Sequence, residues 1–273
     1  MSVPLPYPFE REYMQLALVS GLVVGVCAPM LGAFLVQKRL SLFGDGVGHL
    51  AFTGVGIGAL VGVWPVATAL VVASAGAVVI ELLRSRRAAS GDVALALLLY
   101  SGMAAGIVML SKAGAANANL LSYLFGSLVT VTAGDAVAIG ALGVLIVATV
   151  LLAGRALFAV VVDEEAARVA GLPVDRLNMV LAVLTAVTVV AAMRVVGVLL
   201  VAAMLVLPVA VGQMVGRSFR GTVGWAIAVG VGAVVIGLGA ARQWGLASGG
   251  TIVLVVAAAY GVVAALPTRA LVK

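Results

Sequence analysis

Asp45 and His49 are the residues of this chain best equipped for chemistry. They lie in the segment Gly44-Asp45-Gly46-Val47-Gly48-His49-Leu50-Ala51-Phe52, and His49 is the one histidine among 273 residues. A spacing of four puts both on the same face of a helix, one turn apart. A carboxylate and an imidazole are two ligands of a transition-metal site, fewer than a closed tetrahedral site requires. Water, backbone carbonyls or neighbouring helices would have to supply the rest. An incomplete site suits transport, because a conducted ion has to bind and then leave. The same two side chains could instead form a hydrogen-bonded pair that pins one helix to another.

A second pattern occupies Asp163-Glu164-Glu165-Ala166-Ala167-Arg168-Val169-Ala170-Gly171-Leu172-Pro173. Asp163 is a good helix N-cap, and Glu164 and Glu165 complement the positive end of the helix dipole. Gly171 and Pro173 then terminate the helix. The spacing predicts a surface helix of about two turns, either a plain connector or a docking knob for a soluble partner. Several motifs are absent. No Gly-x-x-x-x-Gly-Lys-Ser/Thr phosphate loop is present, so the chain does not bind ATP by that route. No nucleophile elbow, His-Glu-x-x-His helix or Cys/His cluster occurs either, and no catalytic residues or cofactor are expected.

These residues need elements to position them, and composition says what kind. The chain is 64% hydrophobic and 10% charged, with a mean hydropathy of +1.28. Apolar runs long enough to cross ~30 Å of hydrocarbon recur from Met14 to Leu266. Runs such as Leu145 to Leu152 lack the alternation of a transmembrane barrel. The expected class is therefore all-α, a polytopic helical membrane protein forming one domain over 1–273. A net charge of +6 is explained by short basic loops, so no nucleic-acid partner is expected. The N-terminus lacks the features of a cleaved signal peptide, and insertion is expected to be directed by the first span. The lone Cys27 excludes an intramolecular disulfide.

Nine spans are expected, near 13–36, 43–63, 65–83, 92–111, 134–153, 178–193, 195–215, 222–241 and 249–267. The division around Met193 to Val195 leaves eight as the alternative. Alternation of nine spans gathers the loops at Lys38, 84–87, 155–176, 217–220 and the C-terminus on one side. That side carries twelve of the sixteen basic residues, which makes it cytoplasmic by the positive-inside rule. A helix running inward from Lys38 would set His49 ten residues deeper, ~15 Å at ~1.5 Å per residue. This places the pair near the midplane, where an ionisable residue is a functional hypothesis by default. Gly44/Gly48, Gly54/Gly58 and Gly58/Gly62 have the spacing that lets helix backbones approach.

Taken in order, several segments resemble the permease subunits of zinc/manganese-type ABC importers. Lys38-Arg39-Leu40-Ser41-Leu42-Phe43-Gly44-Asp45 followed by His49 is similar to that family's basic pair, Gly-Asp and His signature. Leu120-Leu121-Ser122-Tyr123-Leu124-Phe125-Gly126, Val196-Gly197-Val198-Leu199-Leu200, Leu205-Val206-Leu207-Pro208 and Ser248-Gly249-Gly250 also resemble family segments. Gly46, Val47 and Gly48 depart from the larger residues usual between the acid and the histidine. The resemblance implies a bacterial inner-membrane protein working as a homodimer with two cytoplasmic ATPase subunits and an extracytoplasmic metal-binding protein. It implies that Asp45 and His49 belong to the metal pathway, and that Asp163, Glu164, Glu165, Ala167 and Gly171 belong to the segment that couples to the ATPase. Zinc and manganese both remain open as the transported ion. The competing reading is an autonomous secondary transporter in which Asp45 and His49 relay protons.

Overall fold

The computed structural model describes residues 8–85, 91–114, 124–126 and 131–266, without the side chains of 91–95 and 98. Leu120 to Tyr123, Arg86, Arg87, Arg269 and Lys273 lie outside the described residues. Ten helices follow one another: α1 (Glu12–Gln37), α2 (Phe43–Val61), α3 (Pro65–Ser85), α4 (Gly91–Lys112), α5 (Ala133–Val162), α6 (Glu164–Val169), α7 (Val174–Met193), α8 (Val198–Val215), α9 (Phe219–Trp244) and α10 (Ser248–Ala265). All but α6 are 18 residues or longer, which bears out the all-α membrane class and gives nine long helices among the described residues. Helices satisfy their own backbone hydrogen bonds, the condition for crossing hydrocarbon.

Helix ends follow local chemistry. The Thr132 hydroxyl accepts from the Asp135 backbone N–H while the Asp135 side chain accepts from that of Thr132, a reciprocal capping box at the start of α5. Ser218 caps α9 through Gly221 N–H. Pro65 opens α3, where a missing N–H costs nothing.

Among the described residues seven helices are long and apolar enough to span by composition alone, and α2 is not one of them. Asp45, His49 and six glycines dilute α2, and its surroundings explain why it is tolerated. It packs against α3, α4, α7 and α8, so protein takes the place of lipid around much of it. Gly54 makes the α2–α3 approach possible, since a Cβ there would lie 2.5 Å from Ala69 Cα.

Two boundaries differ from the sequence expectation. The interval from Arg155 to Asn178 is largely helical: α5 continues to Val162 and α7 already begins at Val174. At 30 residues, α5 is ~45 Å long and exceeds the hydrocarbon thickness. Its extension packs Phe158 against Phe219, with ring centroids 4.6 Å apart.

The second difference concerns depth. α1 stops at Gln37, and Arg39 adopts a left-handed φ of 62°. Residues 38–42 form a turn, so the ten residues before His49 do not advance as one helix. His49 is the seventh residue of the 19 in α2, ~9 Å from its start. His49 therefore sits about a third of the way along α2 and Asp45 in its first turn, both in the half of the helix nearer the basic end.

Candidate functional site

His49 is buried and Asp45 is partly exposed at 30%; His49 Nε2 lies 3.7 Å from Asp45 Oδ1. That separation exceeds a hydrogen bond but lies within ion-pair distance. Two ligands bound ~2.1 Å from a common ion can stand up to about 4.2 Å apart, so the gap accommodates a shared cation. Among the described residues no group of three His, Cys, Asp or Glu side chains converges anywhere. Two protein ligands leave coordination positions for water, and no thiolate competes for a softer metal.

The helix turn that carries His49 is fixed by α4. Thr53 Oγ1 donates to Gly102 O at 2.5 Å and also contacts His49 O at 3.3 Å. A Cβ on Gly102 would approach the His49 carbonyl carbon to 3.1 Å. Gly44, beside Asp45, lies under the Leu205 side chain of α8. Three helices thus hold the acid and the histidine in register. Asp45 sits in the first turn of α2, where the helix dipole favours its charge.

At the basic end, the second sequence pattern folds as expected. Asp163 Oδ1 accepts from Glu165 N–H at 3.0 Å and Ala166 N–H at 2.9 Å, and Gly171 closes the segment at φ 82°. The six residues of α6 divide between two faces. Glu165, Ala166, Arg168 and Val169 are exposed, and Val169 is 91% exposed. Ala167 is buried between Val160 and Val174, so it anchors α6 to its own chain. Glu164 also turns inward. Its Oε1 accepts from Lys38 Nζ at 2.7 Å, Asn178 Nδ2 at 3.1 Å and Arg84 Nη2 at 3.3 Å.

Burial alone would raise the Glu164 pKa. The hydrogen bond from Lys38 and the charges of Lys38 and Arg84 outweigh burial and hold it below the ordinary glutamate value. Burial also lowers Lys38, against the hydrogen bond to Glu164.

The family model for the ABC 3 transport family matches residues 10–266. The chain belongs to that family. It is 28% identical to the high-affinity zinc uptake system membrane protein ZnuB of Haemophilus influenzae over 238 residues, covering 87% of this chain and 91% of that protein. It is 28% identical to the manganese import system permease protein ScaB of Streptococcus gordonii over 246 residues, covering 90% and 88%. The fold matches PsaBC from Streptococcus pneumoniae, solved in complex with a Fab, with a TM-score of 0.86 at 26% identity, covering 96% and 94%. This is a multi-pass membrane permease of the ABC transporter class, and as such not itself an enzyme.

Three family-like segments meet at the end opposite Lys38. Gly249 packs against Val196 O and Phe125 O, and Gly197, at φ 89°, packs against Leu124 O. Arg194 beside them donates to Asp135 Oδ2 at 2.6 Å. Sequence reasoning passed over Asp135, which the Thr132-x-x-Asp135 capping pattern signals. It also passed over Glu81, whose Oε1 and Oε2 bind Arg84 at 2.8 and 2.9 Å; the i,i+3 spacing was the available clue.

Proposed function

We propose that the chain is the membrane-spanning permease of an ATP-driven importer of divalent transition-metal ions, zinc or manganese. Two copies would enclose the pathway, an ATPase dimer would bind the basic, cytoplasmic end, and an extracytoplasmic binding protein would deliver the ion. Relatives named for zinc uptake and for manganese import support this class of cargo. The observation that carries the reading is the Asp45–His49 separation of 3.7 Å, too long for a hydrogen bond and open to an ion.

A partly hydrated ion reaching α2 would take one carboxylate oxygen of Asp45 and Nε2 of His49. The carboxylate offsets part of the charge that makes a bare cation costly in the membrane. Because only two protein ligands engage it, exchange back to water on the cytoplasmic side is not blocked by a closed shell. The exposed face of α6, with Val169 at its apex, would seat in the ATPase.

The test is reconstitution of the permease with its ATPase and binding protein in proteoliposomes. Zinc or manganese uptake should require ATP and fall sharply in Asp45→Ala and His49→Ala. Uptake that proceeds without ATP and collapses with a protonophore would instead identify a proton-coupled secondary transporter.

A further inference from the structure

Glu164 stands in the segment expected to meet the ATPase, yet its carboxylate faces the opposite way. One oxygen collects donors from three separate elements: Lys38 in the α1–α2 turn, Arg84 at the end of α3 and Asn178 in the second turn of α7. Lys38 also donates to Asn178 Oδ1, and Arg84 is held on its other side by both oxygens of the buried Glu81. Two cations and two anions balance, so the cluster has no spare charge to offer a partner.

The connection from Lys38 to the ion pair is short and stiff. Lys38 caps α1. Leu40 N–H bonds Leu35 O at 2.8 Å, Phe43 N–H bonds Leu40 O at 3.0 Å, and Gly46 N–H bonds Leu42 O at 3.1 Å. Lys38, Arg39 and Leu40 bond back to α1, and the carbonyls of Leu40 and Leu42 accept from the first turn of α2, which carries Asp45. A displacement of Lys38 therefore moves the N-terminus of α2 as a unit. α6 lacks another polar link to this turn among the described residues.

We propose that Glu164 is the joint that transmits movement of α6 through Lys38 to the α1–α2 turn, and so to the Asp45–His49 pair. It is a positioning residue rather than an ATPase contact, and this rests on the reading of α6 as the ATPase-facing helix. Binding and release of the ion at α2 would then follow the position of α6, with the exposed Val169 face receiving the load.

The assembled complex in proteoliposomes tests this through the number of ions transported per ATP hydrolysed. A purely structural defect lowers uptake and hydrolysis together and leaves that ratio unchanged. Glu164→Ala should assemble with the ATPase and continue to hydrolyse ATP while the ratio falls about tenfold. Lys38→Met should produce the same fall, and Glu164→Gln a smaller one. Val169→Glu, on the exposed face, should instead lose assembly. If Glu164→Ala fails to fold, Lys38→Met and Glu164→Gln carry the same test. An unchanged ratio in these variants, or loss of assembly in Glu164→Gln to match Val169→Glu, would overturn the joint. Absence of zinc and manganese uptake in the unmutated complex would be a failure of the proposed function, read before any variant is compared.

Discussion

Two groups of ionisable side chains lie within a few turns of each other and are built in opposite ways. Around Glu164, one carboxylate oxygen is surrounded by three donors, and Arg84 is shared between two acids. At Asp45 and His49, the two groups stand 3.7 Å apart without bonding each other. The saturated cluster can transmit force but has little capacity for a ligand. On the proposed function, the unsaturated pair is left open to an ion. Buried polar groups that satisfy one another lock a structure, and those left under-satisfied mark where something else binds.

The largest effect should come from breaking another buried ion pair, Arg194–Asp135. Arg194→Met leaves Asp135, 2% exposed, without its guanidinium, and loss of about 3–5 kcal/mol is expected, visible as a lower thermal midpoint in detergent. Uptake is the more sensitive readout at the unsaturated pair. His49→Ala should cut it by about 10–100-fold, the range found when groups supporting a metal are removed, with little change in the thermal midpoint. A large midpoint drop there would make the pair structural and erase the contrast.

Lys38→Met should cost an intermediate 1–3 kcal/mol or so, because Glu164 keeps two of its three donors. The smallest effect concerns pH. The folded-state pKa of Glu164 lies below its ordinary value of about 4.3. Its contribution is therefore complete above that value and disappears as pH falls through the lower, folded one. The thermal midpoints of the unmutated protein and Glu164→Gln should stay separated by a constant amount from pH 6 to 8 and converge below about pH 4. Because Glu164 is 39% exposed, solvent screening keeps that separation small.

Much of this arrangement can be read in the sequence. Nine apolar runs correspond to nine long helices. The narrow break between α7 and α8 is marked by Arg194 and by Gly197, whose positive φ only glycine takes easily. Asp163 and Gly171 delimit α6 through side-chain capping and a left-handed turn, both local effects. The facing of Glu164 is not local: six helical residues give no periodicity, and its three donors come from positions 38, 84 and 178. The depth of His49 was obscured for a similar reason, because the turn at 38–42 is stabilised by contacts to Leu35 and Leu40 that the sequence does not announce. Asp45 and His49 were legible because ionisable side chains stand out in an apolar span, whereas their separation depends on α4 and α8 pressing on α2.

The most direct measurement is zinc K-edge X-ray absorption on the purified permease at one zinc per chain. The account predicts a shell of nitrogen and oxygen donors with one imidazole and no sulfur, and loss of the imidazole signal in His49→Ala. A shell without imidazole, or an identical spectrum from His49→Ala, would contradict it.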